Sequence, residues 1–265
     1  MPREPGLWHV VLLLLILAFA PVAIASWWVR LGITDPRGLF FPIEILAVLL
    51  PTLLLARSSS SQQTLLWRRC SLTAVFWAVV GTLGWSSILT FLQTWWEQLT
   101  GIKPSWELQA LLTIRSPGDL VLLLVGAALL PGFCEELAFR GFILTRFERW
   151  GGMVSIVLTT ILFAGFHQEL YGLPTYLGMG AFLGILAYRS RSLWPGIAAH
   201  ATNNSLALVQ INVLPESWWW QHGPWLLPLA ATVAIIGTWY FWRLCSQHAS
   251  SKQYLVNQVS AHDPQ

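Results

Sequence analysis

At 265 residues, 55% of them hydrophobic and only 10% charged, the chain is too oily for an ordinary soluble domain, in which about a quarter of residues are charged. Its mean hydropathy is +0.58. The formal net charge of +3 is small and scattered, and with no basic patch, zinc finger or phosphate loop nothing points to nucleic acid as a partner. The composition is that of a multi-pass membrane protein.

In chain order, the first apolar run, LWHVVLLLLILAFAPVAIASWWV, is too long for a signal-peptide core and leads into no convincing cleavage site. It reads as a membrane span over residues 7–29. Spans at 39–56 and 71–92 follow, then WWEQLTGIKPSWELQALLTIRSPG, which reads as an amphipathic stretch along the interface. Further spans are expected at 119–147, 152–168, 174–188, 193–214 and 224–242. The sixth is short and glycine-rich, and Gly178, Gly180 and Gly184 would let helices approach closely. The expected fold is all-α, a multi-pass transmembrane bundle of about eight spans. It divides into membrane helices without motifs (1–118), a catalytic membrane core (119–214), and a last helix with a polar, frayed tail from Ser246 (215–265). Cys70, Cys134 and Cys245 form no CxxC pair and read as small buried hydrophobes.

An even number of spans puts both termini on one side. Arg3, Arg57, Arg68, Arg69, Arg146, Arg149, Arg189, Arg191, Arg243 and Lys252 share that side, against Arg30, Arg37, Lys103 and Arg115 on the other. The excess predicts cytoplasmic termini, in what would be a bacterial plasma membrane. Trp27, Trp28, Trp95, Trp96 and Trp218 to Trp220 fall at the opposite boundary, as an aromatic belt does.

Ionisable residues inside spans are costly and therefore functional candidates. Glu44 lies near an expected helix end and reads as snorkelling to the interface. Glu136 and Arg140 are four apart on one helix face and can neutralise each other. Glu135 is turned about 100° away and needs another partner. His200 and Asn204 also share a face. A bland reading, a buried ion pair and a hydrogen-bonded histidine, covers all of these except Glu135. At 1.5 Å per residue from the expected cytoplasmic ends, Glu135 lies at roughly 18 Å, Arg140 at roughly 10 Å, His167 at roughly 22 Å, His200 at roughly 12 Å and Asn204 at roughly 18 Å. Three helices thus bring a carboxylate, two imidazoles and an amide to one stratum.

EELAFR fits EExxxR, FAGFH fits FxxxH, and HATNN fits HxxxN, in that order on successive helices. Over roughly 119–208, a third of the chain, this resembles the CAAX protease and bacteriocin-processing (CPBP or ABI) family of intramembrane glutamic endopeptidases, which includes the type II CAAX prenyl proteases. The resemblance implies that Glu135, with His167, activates a water; that His200 and Asn204 donate hydrogen bonds to the oxyanion; and that Glu136 and Arg140 support them. It implies a membrane-anchored protein or peptide as substrate, in the lipid bilayer, and no cofactor. These residue types suit that chemistry: a carboxylate in an apolar site is a stronger base, and an imidazole N–H and an amide can face developing charge.

Other readings use the same residues differently. Glu135, His167 and His200 would make an acceptable zinc set, although nothing here resembles HExxH. Cys134 adjoins Glu135 but points about 100° away, which disfavours a cysteine protease. A transporter would show repeated or broken helix patterns in both halves. A non-catalytic immunity or binding protein is the remaining alternative, since the family is associated with bacteriocin self-immunity. The topology has its own test: a reporter fused after Trp242 should be active only if it is of a cytoplasmic type, and activity of a periplasmic reporter there would mean an odd span count.

Overall fold

The computed structural model describes residues 6–57, 65–215 and 217–261, without the side chains of Trp220 and of the residues after Ser246. Arg3 and the side chain of Lys252, both counted in the charge asymmetry, lie outside the described residues. Every regular element among the described residues is helical. In chain order they are α1 (Leu7–Arg30), α2 (Pro36–Ala56), α3 (Leu72–Thr100), α4 (Trp106–Leu112), α5 (Pro117–Trp150), α6 (Gly152–Phe166), α7 (Leu173–Ser190), α8 (Trp194–Val213) and α9 (Trp218–Ala261). The tail after Ser246, expected to fray, continues the helical backbone of α9 to Ala261.

Local chemistry sets several of these boundaries. Ser116 Oγ accepts the Asp119 N–H at 3.1 Å, and Pro117 occupies the first turn of α5, where its missing N–H has no partner to lose. Asp35 caps α2 in the same way through the Arg37 N–H at 3.0 Å. Helix α3 stops at Gly101, whose φ of 72° suits glycine. The interfacial stretch forms the short α4, which has no buried residue. Asn212 ties its end to α8, accepting from the Ile114 N–H at 2.7 Å and donating to the Leu112 carbonyl at 3.0 Å.

Among the described residues five helices are long and apolar enough to cross a membrane: α1, α2, α3, α5 and the 221–246 part of α9. Helix α6 is apolar but has 15 residues. Helices α7 and α8 have 18 and 20, but their glycines and polar side chains lower their hydropathy. All eight long helices nevertheless run between the same two ends. At one end the Leu193 N–H donates to Leu66 O at 3.2 Å, Ser192 Oγ donates to Arg68 O at 2.7 Å, Arg191 pairs with Glu148, and Arg189 lies over the Trp242 ring. At the other, Arg37 pairs with Asp119 at 2.8 Å and Trp96 Nε1 donates to Leu170 O at 3.1 Å. The expected alternation of direction follows. Tryptophans sit at both ends: Trp28 donates to Asp35 O at the second, while Trp67 packs on Trp194 at the first. The sequence reading credited only one belt, but both interfaces favour amphipathic rings.

The main core joins α1 and α2 to α5 and α6 through Leu13, Leu17, Val48, Phe139, Phe142 and Phe163. Helix α3 packs along α9, and the two backbones all but touch. A Cβ on Gly84 would lie 2.3 Å from Ala234 N, and one on Gly237 the same distance from Gly81 N. Close packing of small residues is a main source of helix association in lipid.

Two helices have π-helical stretches among the described residues, three stretches in all. Helix α2 is π-helical over Ile43–Leu49, and α5 over Leu124–Leu129 and Glu136–Leu144. Prolines border the first two stretches: Pro42 and Pro51 around one, Pro131 just after the other. A proline inside a helix removes a donor and crowds the carbonyl four residues back. For the crossing of α3 and α9, Gly84→Leu should destabilise the protein by about 1–3 kcal/mol through overpacking, read as a lower thermal transition in detergent.

Candidate active site

Helix α5 supplies two adjacent acids and an arginine, all buried. Arg140 has no exposed surface. Its Nη1 donates to Glu136 Oε1 at 2.6 Å, its Nη2 donates to the Gly180 carbonyl of α7 at 3.1 Å, and its guanidinium lies 4.3 Å from the centre of the Phe163 ring. A guanidinium this deep needs its charge matched: one carboxylate, one backbone carbonyl and one aromatic face meet it from three helices, while its Nε has no hydrogen-bond partner among the described residues.

Glu136 is not committed to Arg140 alone, as its helical spacing suggested. The same Oε1 lies 3.1 Å from His200 Nδ1 on α8. An ionised carboxylate can only accept, so Nδ1 carries the hydrogen. Helix α8 comes this near because position 196 is glycine: a Cβ there would stand 2.7 Å from Glu136 Oε2. The other nitrogen of the ring, Nε2, lies 3.9 Å from Glu135 Oε2. His200 therefore sits between the two adjacent glutamates, one on each side of its ring. Glu135 is 5% exposed, and its Oε2 has no hydrogen-bond partner among the described residues. The sequence required a further partner for Glu135, and His200 is the polar group that the structure brings up to it.

His167 caps α6 and is half-buried. Its Nδ1 lies 2.9 Å from the Phe163 carbonyl. A carbonyl cannot donate, so Nδ1 is the protonated nitrogen and Nε2 is left as an acceptor. The Phe163 ring, the first residue of the FxxxH motif, lies edge-on to both imidazoles, with centroids 4.8 Å from His167 and 5.7 Å from His200. It joins the two histidines into one cluster.

Asn204 is bound to the fold as well as to the site. Pro131 offers no N–H to the Ala127 carbonyl four residues back, and Asn204 Nδ2 donates to that carbonyl at 3.3 Å. Its Oδ1 accepts from Asn203 Nδ2 at 3.3 Å, and Asn203 Oδ1 accepts from Ser86 Oγ at 2.6 Å. Asn203 and Ser86 were not singled out from the sequence. They complete a polar chain from α3 through α8 to α5.

Glu44 overturns its sequence reading. It does not snorkel: it is 6% exposed, with Oε2 lacking a hydrogen-bond partner among the described residues. It stands in the π stretch of α2, which packs against the 130–135 turn of α5 that carries Glu135. An expected helix end was in fact mid-helix, because α2 begins at Pro36. Cys134 is fully buried in the main core, as a small hydrophobe should be. Among the described residues no group of three or more His, Cys, Asp or Glu is arranged to hold a metal ion.

Removing Arg140 would leave Glu136 charged and short of a partner at depth. Loss of one member of a buried pair costs about 3–5 kcal/mol, so Arg140→Ala should lower folded yield and thermal stability in detergent together with activity. Unchanged stability would mean that the guanidinium is solvated.

Comparison with known proteins agrees with the motifs. No curated protein and no solved structure matches the chain. Residues 117–206 match one family model, Rce1-like, described as type II CAAX prenyl endopeptidase Rce1-like. The matched segment begins with α5, ends within α8, and contains each of the acids, histidines and amide of the cluster except Glu44. The segment from the start of α5 into α8 is thus similar to the CAAX-type intramembrane proteases, and it lies in a chain whose apolar helices mark it as an integral membrane protein.

Proposed function

We propose that the protein is an intramembrane endopeptidase that hydrolyses a peptide bond in a membrane-anchored protein or peptide, using a water activated by Glu135 and His167. The observation that carries this reading is Glu135 Oε2: buried, without a hydrogen-bond partner among the described residues, and 3.9 Å from His200 Nε2. Its neighbour Glu136 shares Oε1 between Arg140 and His200, although its Oε2 is also without a partner among the described residues, so the two adjacent acids stand in different environments, which is how paired carboxylates take different roles.

In the proposed reaction Glu135, assisted by His167 Nε2, takes a proton from water as the water oxygen bonds to the scissile carbonyl carbon. The carbonyl π electrons move onto its oxygen. The proton then passes to the departing amine nitrogen, the C–N bond breaks, and one fragment leaves with a new carboxylate. His200 and the remaining N–H of Asn204 would face the oxyanion. The Glu136 contact sharpens the role of His200. With Nδ1–H directed at Glu136, Nε2 has a hydrogen to offer the oxyanion only when the ring carries both protons.

The reading uses each site residue once and needs no metal. A zinc enzyme built from Glu135, His167 and His200 would require another base, and Glu136 is already shared between two partners. We further propose that both termini are cytoplasmic in a bacterial plasma membrane, which the basic excess at one end of the bundle supports. For the substrate, the family description names prenyl endopeptidases; membrane anchorage is the property proposed for this chain's own substrate.

Glu135→Gln should lower cleavage by about 10²–10⁴-fold without loss of folding, and His167→Ala should come close to it. Near-normal cleavage by purified Glu135→Gln protein would overturn the mechanism. Metal-stripped protein should cleave at the untreated rate. Loss of activity with stoichiometric zinc removal, and its return on adding zinc, would replace the glutamic reading with the metalloprotease.

A further inference from the structure

His167 is held by more than its motif. Its Nδ1–H reaches the Phe163 carbonyl at 2.9 Å, but a single hydrogen bond leaves the plane of the ring free to turn about that bond. The plane is set by Tyr176 of α7, whose ring stacks on the imidazole with centroids 3.9 Å apart and planes 25° from parallel. Phe163 and Phe166 meet the imidazole edge-on, at 65° and 80°. The imidazole is thus fixed on one nitrogen, stacked on one face and bounded by two ring edges, and Nε2 is left as its free polar atom.

The backbone is shaped to allow the stacking. Gly172, the residue before α7, has an ordinary φ of −81°, so no left-handed turn calls for glycine there. Its need is steric. A Cβ at 172 would stand 2.5 Å from Tyr176 Cζ, 2.6 Å from Cε2 and 2.7 Å from Oη. Glycine leaves room for the tyrosine ring one turn further on, where it covers His167.

We propose that Tyr176 is a positioning residue for the reaction. It holds the His167 ring so that Nε2 points at the water activated by Glu135, and its π face stabilises the imidazolium formed when His167 takes up a proton. Neither Tyr176 nor Gly172 belongs to the three motifs. The proposal rests on the reading of His167 as a partner in water activation. It invokes the ring of Tyr176 and not its hydroxyl, so phenylalanine should serve.

The test measures kcat and KM in detergent on a fluorogenic lipid-anchored peptide whose cleavage is first shown to depend on Glu135. Failure of that dependence counts against the proposed function and not against Tyr176. With it established, Tyr176→Leu should lower kcat about tenfold, as expected for loss of a desolvated cation–π partner, with KM and the thermal transition little changed. Tyr176→Phe should restore at least half the wild-type kcat. Gly172→Ala, which leaves both rings chemically intact but displaces the tyrosine, should lower kcat in the same direction and provides the reading if Tyr176→Leu does not fold. Wild-type kcat in Tyr176→Leu or in Gly172→Ala would overturn the proposal. Equal impairment of Tyr176→Phe and Tyr176→Leu would overturn it too, because the hydroxyl and not the stacked face would then be the operative group.

Discussion

A buried guanidinium in an apolar bundle must have its charge matched close by, and the rest of this site is arranged around that requirement. Arg140 takes Glu136 from its own helix, the Gly180 carbonyl from α7 and the face of Phe163 from α6. Glu136 in turn takes His200 from α8. Four helices are thereby fixed relative to one another by groups that cannot be left unpaired without a cost of several kcal/mol. Glu135, the residue just before Glu136 in the chain, is the carboxylate that this network leaves without a hydrogen bond to its Oε2 among the described residues. The same constraint that assembles the helices separates a supporting acid from a reactive one.

The backbone irregularities serve the same end. Three π-helical stretches, over Ile43–Leu49, Leu124–Leu129 and Glu136–Leu144, surround Glu135 in sequence or in space. Such bulges are rare and gather at functional sites. Proline borders two of them, and the carbonyl released by Pro131 is taken by Asn204, as membrane helices require of any backbone group freed inside lipid. Helices α1 and α2 carry none of the motifs, yet they share a core with α5 and α6, and the stretch of α2 that carries Glu44 packs against the segment of α5 that ends in Glu135.

Much of this was legible in the sequence, for physical reasons that differ from residue to residue. Apolar runs about as long as a bilayer is thick announced the long helices, and the i, i+4 spacing announced the Glu136–Arg140 pair. Depth counting brought Glu135, His167 and His200 to one level, although His200 seemed shallower than Glu135. The π stretch of α5 accounts for part of that difference, because i→i+5 bonding places more residues in each turn and advances the chain less per residue. No hydropathy pattern reveals such a stretch. Glu44 was misread because the start of α2 was placed too late, which made a mid-helix acid look terminal. The bond from Glu136 to His200 depends on Gly196, and the stacking of Tyr176 on Gly172. In each case the signal is a missing Cβ at one position, which means nothing until the two helices are seen together.

The central claim is that water activated by Glu135 attacks the scissile carbonyl directly. A single turnover of purified enzyme in ¹⁸O-labelled water addresses it, with mass spectrometry of both the product and the enzyme peptide containing Cys134 and Glu135. The account predicts one labelled oxygen in the new carboxylate of the product, none in the Glu135 side chain, and no mass shift from a trapped adduct on either residue. Label in the Glu135 carboxylate, or a substrate fragment attached to Glu135 or Cys134, would show a covalent intermediate and contradict it.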